Sequence, residues 1–238
     1  ARTAPCPTAH TAPCPKAHPA HPDPQVCSLL GNVSKHGDAF YVHMLAAGLL
    51  PLLVDGCADA DGATRKLACF AVGNAGFHSA VLYEHLGPAV PALVCCLRDE
   101  DAKTRANAAG ALGNLARNGP QLCGELLAHE AGAELLALAR RALPARASAA
   151  LRAGRPEREG RGGAEAVQAA DPADLAAARI ALFSLGNLAA HQRCGEALQA
   201  LSLPGQLADL QGLDSTLLKY SLRITQKLDD ARPNNEVA

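Results

Sequence analysis

Cys6, His10, Cys14 and His18 stand four residues apart near the start of the chain. Thiolate and imidazole are good zinc ligands, so this is the first constellation that could carry chemistry. Zinc fingers, however, bring two ligands into one tight turn, and a proline-dense strand does not fold back that way. The tandem TAPCPTAH and TAPCPKAH at 3–18 accounts for the spacing as slipped low complexity, so no metal site is expected. Cys95 and Cys96 are neighbours that point in different directions on a helix, which reads as core packing rather than a redox pair. The cysteines, nine in all, lie mostly in apolar stretches and read as reduced thiols acting as small hydrophobes. No phosphate loop, dinucleotide fingerprint or nucleophile elbow occurs, and His129-Glu130 is followed by Ala-Gly-Ala, which breaks the zinc-protease spacing. No His-Arg-Asp or Asp-Phe-Gly triplet occurs. The expectation is a non-catalytic chain with no catalytic residue and no cofactor.

A basic cluster is the next candidate. Arg140, Arg141, Arg146, Arg152, Arg155, Arg158 and Arg161 are set against Glu157 and Glu159. Such a segment suits acidic tails or phosphorylated partners, although a solvated loop of drifting composition has the same look. No aromatic residue interleaves the arginines, so stacking on nucleic-acid bases is not expected. The whole chain has 22 Lys+Arg against 23 Asp+Glu, and no global field points to nucleic acid or to a membrane. The first 25 residues lack an apolar run, so no signal peptide is expected there. The longest apolar stretch, Met44 to Val54, is too short for a membrane span of ~20 residues.

The elements that would position these residues are helices. Apolar residues make up 49% of the 238, much of that alanine, while aromatics are 3% with no tryptophan. Alanine favours helix, and a β-sandwich would need the branched and aromatic residues that are scarce here. Gly-Asn recurs at Gly31-Asn32, Gly73-Asn74, Gly113-Asn114 and Gly186-Asn187, with spacings of 42, 40 and 73. The last spacing is one period plus the low-complexity stretch at 144–171, read as a mobile insertion. Asp61-x-x-Thr64-Arg65 recurs as Asp101-x-x-Thr104-Arg105, and Pro51 recurs as Pro91.

Within a unit, Val90, Leu93, Val94 and Leu97 form one helical stripe, with Pro91 in its first turn. Ala108, Leu112 and Leu115 stripe the next helix, with Asp101 placed to cap it. A period near 40 with three helices predicts an all-α fold, an armadillo-type α-solenoid of about four to five three-helix repeats. The expected layout is a disordered Pro/His/Cys tail at 1–24, repeats over 25–143, the insertion at 144–171, repeats and a C-terminal cap over 172–230, and a tail at 231–238. The last helix, predicted over Thr216 to Leu228, has lost the Gly-Asn and carries Lys219, Arg223 and Lys227, which suits a polar cap.

In such a solenoid the long third helices line a groove where an asparagine can bond the backbone of an extended peptide. Asn74, Asn114 and Asn187 fall there by register, and Asn32 less surely. The same asparagines can instead bond the neighbouring repeat and fix the stack. Phe70, Gly110 and Phe183 stand four residues before them, where nuclear-import armadillo proteins place a lysine-clamping tryptophan. With no tryptophan, a receptor of that kind is not expected. Lys66, Ala106 and Arg179 come one turn earlier and make the predicted groove mildly basic, suited to an acidic or phosphorylated segment.

Thr64–Tyr83 (TRKLACFAVGNAGFHSAVLY), Glu100–Cys123 (EDAKTRANAAGALGNLARNGPQLC) and Ile180–Cys194 (IALFSLGNLAAHQRC) resemble the C-terminal armadillo segment of Fused-type serine/threonine kinases. The likeness runs over 25–143 and 172–230; the segment 1–25 and the arginine-rich insertion depart from the family's pattern. The resemblance implies a kinase domain elsewhere in the full protein and a regulatory, non-catalytic role for this part. It also implies the family's contexts: Hedgehog signalling, kinesin-linked cytokinesis and central-pair assembly in motile cilia. The function expected is therefore a protein-interaction scaffold, cytoplasmic and in the axoneme of a cilium or flagellum, docking a kinesin or a central-pair protein. The alternative is a stand-alone structural armadillo protein of the axoneme or another cytoskeletal assembly.

Overall fold

The computed structural model describes residues 22–143 and 171–230, and every regular element among them is helical. A long helix α1 (Pro24–Lys35) comes first. Four triplets follow it: α2 (Tyr41–Ala46), α3 (Leu50–Gly56) and α4 (Gly62–Ala75); then α5 (Tyr83–Leu86), α6 (Val90–Cys96) and α7 (Ala102–Leu115). The third is α8 (Cys123–Ala128), α9 (Ala131–Arg140) and α10 (Pro172–Leu188); the fourth is α11 (Gln192–Ala200), α12 (Leu203–Gln211) and α13 (Ser215–Asp230). Each triplet is two shorter helices followed by a long one, as the period predicts. The helix α1 stands where the long third helix of a triplet would stand.

Local chemistry explains the boundaries. Asp61 accepts from the Thr64 N–H at 2.8 Å, and Asp101 does the same for Thr104 at 3.0 Å, so the repeated Asp-x-x-Thr is a helix cap. Pro51, Pro91 and Pro204 sit in the first turns of α3, α6 and α12, where a missing N–H costs no helical bond. The sharp turn from first to second helix uses Gly48 at φ 64, and the same turn is made by Glu130 at φ 55 and Ser202 at φ 53. For those two residues the left-handed backbone costs ~1–2 kcal/mol that glycine avoids. The tail boundary expected at residue 24 moves by one, because Pro24 joins α1 as its first residue and Asp23 caps it.

Packing then runs in one direction. The long helices stack in order, α1 on α4, α4 on α7, α7 on α10 and α10 on α13. The second helices α3, α6 and α9 lie against the third helices of their own triplets. Ala108, Leu112 and Leu115 are fully buried, as are Ala178, Leu182 and Leu185. Each such leucine contributes ~1.5–3 kcal/mol. Cys27, Cys57, Cys69, Cys96, Cys123 and Cys194 are buried while Cys95 is exposed, so the adjacent pair does split between core and surface. Burial pushes the Cys194 thiol up to about 12. No group of three or more Cys, His, Asp or Glu among the described residues could hold a metal. The Cys6–His18 set, the tail at 231–238 and all of the insertion expected at 144–171 except Asp171, which caps α10, lie outside the described residues.

Two expectations need amendment. The terminal helix exposes Lys219 and Arg223, but Leu218 and Leu222 are also exposed at 38% and 55%, so its outer face is mixed rather than polar. It also runs two residues further than expected, to Asp230.

The Gly-Asn glycines mark the closest approach of successive long helices. A Cβ on Gly113 would lie 2.8 Å from the Cα of Ser184, and one on Gly73 would lie 3.3 Å from the Cα of Ala111. At Gly110, one turn away, the nearest atom would be an Ile180 methyl at 3.6 Å, an ordinary contact. Gly113→Ala is expected to lower stability by ~1–3 kcal/mol, because the neighbouring backbone must move. Gly110→Ala is expected to raise it by ~0.5–1 kcal/mol through helix propensity. Urea unfolding of the two variants reads the difference, and equal effects would contradict this packing.

Candidate functional site

The long helices carry the predicted site residues, and the repeat brings the asparagines into one row. Lys66, Phe70 and Asn74 lie on α4, Asn114 on α7, and Arg179, Phe183 and Asn187 on α10; all seven are half-buried. The Asn74 side-chain amide donates to the Gly31 carbonyl at 2.9 Å, Asn114 to Gly73 at 2.8 Å, and Asn187 to Gly113 at 3.1 Å. Each asparagine therefore reaches back exactly one repeat, to the glycine of the preceding Gly-Asn pair. In α13 the Nζ of Lys227 takes over and donates to Gly186 at 2.6 Å. Asn32, on the first helix, is exposed. Of the two roles open to the asparagines from sequence, these bonds are of the stack-fixing kind.

The remaining groove residues are likewise engaged with neighbouring repeats. A Cβ on Gly31 would lie 2.7 Å from the Phe70 ring, so that ring covers the α1–α4 junction. Phe183 meets Tyr220 edge to face at 5.9 Å between centroids. Lys66 faces Asp101 at 3.9 Å, with the two side chains 37% and 43% exposed. Arg179 pairs with Asp214. The mildly basic character expected of this face is offset, because both of its cations face carboxylates of the following repeat. The reason is the Asp at each helix cap, which lies beside the cation of the helix before it.

Several contributing residues were not singled out from sequence. Arg65 bonds Asp99 at 2.8 Å and the carbonyls of Asp59 and Ala60; Arg105 bonds Asp174 at 2.9 Å and the carbonyls of Asp99 and Glu100. With Arg179 and Asp214 these pairs tie three successive junctions. The signal was present in the recurring Asp-x-x-Thr-Arg, whose arginine had no role assigned to it. Tyr41 donates to the Asn74 carbonyl at 3.1 Å and Tyr83 to the Asn114 carbonyl, at a spacing of 42 that also follows the repeat. Burial pushes the Tyr41 hydroxyl up to about 12, so it stays a donor at physiological pH.

The bond from Arg179 holds the Asp214 carboxyl down at about 2, helped by the Thr216 and Leu217 backbone N–H groups. A depressed carboxyl stabilises the fold above the ordinary value near ~4, and that contribution disappears as pH falls through the folded value. The melting temperature of wild type is therefore expected to exceed that of Asp214→Asn at pH 6, with the gap closing between pH ~4 and ~2. A gap that persists at pH 2 would refute the assignment. Asn114→Ala leaves the Gly73 carbonyl short of one donor and is expected to cost ~1 kcal/mol in urea unfolding, with native helicity retained.

An armadillo/beta-catenin-like repeat model matches residues 88–117, which span α6 and α7. Serine/threonine-protein kinase 36 of Pongo abelii is 40% identical over 112 residues, 47% of this chain and 8% of that protein. The Mus musculus protein of the same name is 39% identical over 113 residues, again 47% of this chain and 8% of the relative. The matched part is thus a small share of either kinase's length. Among solved structures, a designed armadillo repeat protein in complex with peptide (KR)4 superposes with a TM-score of 0.60 at 18% identity, covering 87% of this chain and 80% of that one. In fold the chain is an armadillo-repeat solenoid, and its repeat segment is similar to a part of serine/threonine-protein kinase 36.

Proposed function

We propose that this chain is a non-catalytic regulatory module of a Fused-like serine/threonine kinase, and that the face formed by its third helices holds a segment of a protein partner. The observation that carries the reading is the 40% identity over 112 residues to serine/threonine-protein kinase 36, found within the repeats themselves. The designed neighbour that carries a peptide supports the choice of an extended segment as ligand. The family context favours a kinesin or a central-pair protein as partner, in the cytoplasm and the ciliary axoneme.

The recognition chemistry rests on the cations of this face. Lys66 and Asp101 form a half-open pair, and exposed pairs of this kind contribute ~0–1 kcal/mol. A carboxylate or phosphate on the partner can therefore displace Asp101 from Lys66 at little cost. Phe70 and Phe183 supply ring surface nearby on the same helices, while the asparagine amides are turned toward the preceding repeat.

An acidic eight-residue fluorescent peptide and a (KR)4 peptide, titrated in parallel, test this. The acidic peptide is expected to bind more tightly, to weaken with added salt, and to lose about tenfold in affinity with Lys66→Glu. Preference for (KR)4 would overturn the proposed polarity. A complete coding sequence without a kinase domain would replace the regulatory reading with the structural one.

A further inference from the structure

The first helix presents an interface that the described residues do not fill. Counting back from the Gly-Asn asparagine, the third residue is Ala71 in α4, Ala111 in α7 and Ser184 in α10, all fully buried. The sixth is Ala68, Ala108 and Ala181, also fully buried. In α1 the same two positions are Leu29 and Val26, exposed at 63% and 38%. The residue before a triplet's opening helix follows suit: Leu82 before α5 and Leu122 before α8 are buried, but Phe40 before α2 is 53% exposed.

The internal junctions say what these positions contact. Ala71 lies under Gly31, Ala111 under Gly73 and Ser184 under Gly113, each meeting the preceding long helix at its glycine. Ala68 lies under Gly56 of its own triplet's second helix, and Leu122 lies under Gly87 of the repeat before it. Asn32 completes the set, since its counterparts all donate to a preceding glycine carbonyl and it is itself exposed. We propose that the outward face of α1, formed by Val26, Leu29 and Asn32 and continued by Phe40 at the start of α2, is an inter-repeat interface whose occupant is a further armadillo-type repeat, its third helix offering a glycine carbonyl to Asn32.

Three features choose this occupant. The face continues, position by position, an interface used at four successive junctions. Leu29 is larger than alanine, but Ile224 occupies the same position in α13 and fits under Gly186, where a Cβ would still have 3.7 Å of room. And α1 begins as α10 does, with Asp-Pro and a bond to the N–H two residues on: Asp23 to Gln25 and Asp171 to Ala173, both at 2.7 Å. A second copy docked end to end does not fit. Its α13 has Gln226 and Lys227 where the glycine and asparagine would stand, and Lys227 already reaches back to Gly186.

A copy of residues 24–66 joined directly ahead of Gln25 tests the proposal, because it sets the copied Gly31 and Asp61 at the same distances before Asn32 as Gly31 and Asp61 stand before Asn74. The extended protein is expected to slow hydrogen exchange of the original α1 amides by about tenfold relative to the 238-residue chain. Leu29→Asp at the junction is expected to lower its melting temperature by about 4 °C or more, while the same change in the 238-residue chain is silent. Unchanged α1 exchange, a protease-sensitive extension, or a junction variant as silent as the parental one would overturn the proposal. So would light scattering that shows the 238-residue chain as a dimer dissociated by Leu29→Asp, which would give the face to a second copy.

Discussion

The stack depends on one contact made repeatedly, in which the backbone of a long helix at its Gly-Asn glycine lies against the next long helix. Removing the side chain there lets the two backbones close, and closure leaves the glycine carbonyl within reach of the following asparagine. A helical carbonyl keeps a second lone pair after its own i+4 bond, so the added donor completes it without competing with the helix. Small size and amide reach are thus coupled requirements. That coupling explains why glycine and asparagine recur as a pair, and why both are lost together in α13, where Gln226 and Lys227 stand.

A second set of bonds acts at the other end of the same helices. Arg65, Arg105 and Arg179 each reach a carboxylate of the following repeat near its helix start, while Asn74, Asn114 and Asn187 bind the preceding repeat near their helix ends. Two ties at opposite ends of a long helix set its rotation as well as its distance from its neighbours. Hydrophobic burial alone does not, since alanine-rich faces slide with little penalty. Arg105 is 5% exposed; its two terminal nitrogens bond two carbonyls and Asp174, which compensates its charge where burial would otherwise be costly, while its Nε finds no hydrogen-bond partner among the described residues.

For function, the consequence is a face whose amide donors point into the scaffold. The cations Lys66 and Arg179 on that face are held by carboxylates of the following repeat; in the proposed reading, a negatively charged ligand displaces the carboxylate at Lys66.

The fold was almost wholly legible in the chain itself. Period, the capping Asp-x-x-Thr, first-turn prolines and the apolar stripes are all local or periodic, and local rules such as capping and helix spacing act without knowledge of what lies across the fold. The ladder's existence was also legible, because Gly-Asn repeats in register. Its direction was not: whether Asn114 faces a ligand or Gly73 depends on how far apart two helices sit, and that distance follows from the packing of Gly73 against Ala111. The pairing of Lys66 and Arg179 with Asp101 and Asp214 was hidden for the same reason, since partners 35 residues apart become neighbours only after stacking. Sequence determined which helices form and how they repeat; tertiary structure decided which side of each one faces its neighbour, because that choice is made by contacts between repeats rather than within them.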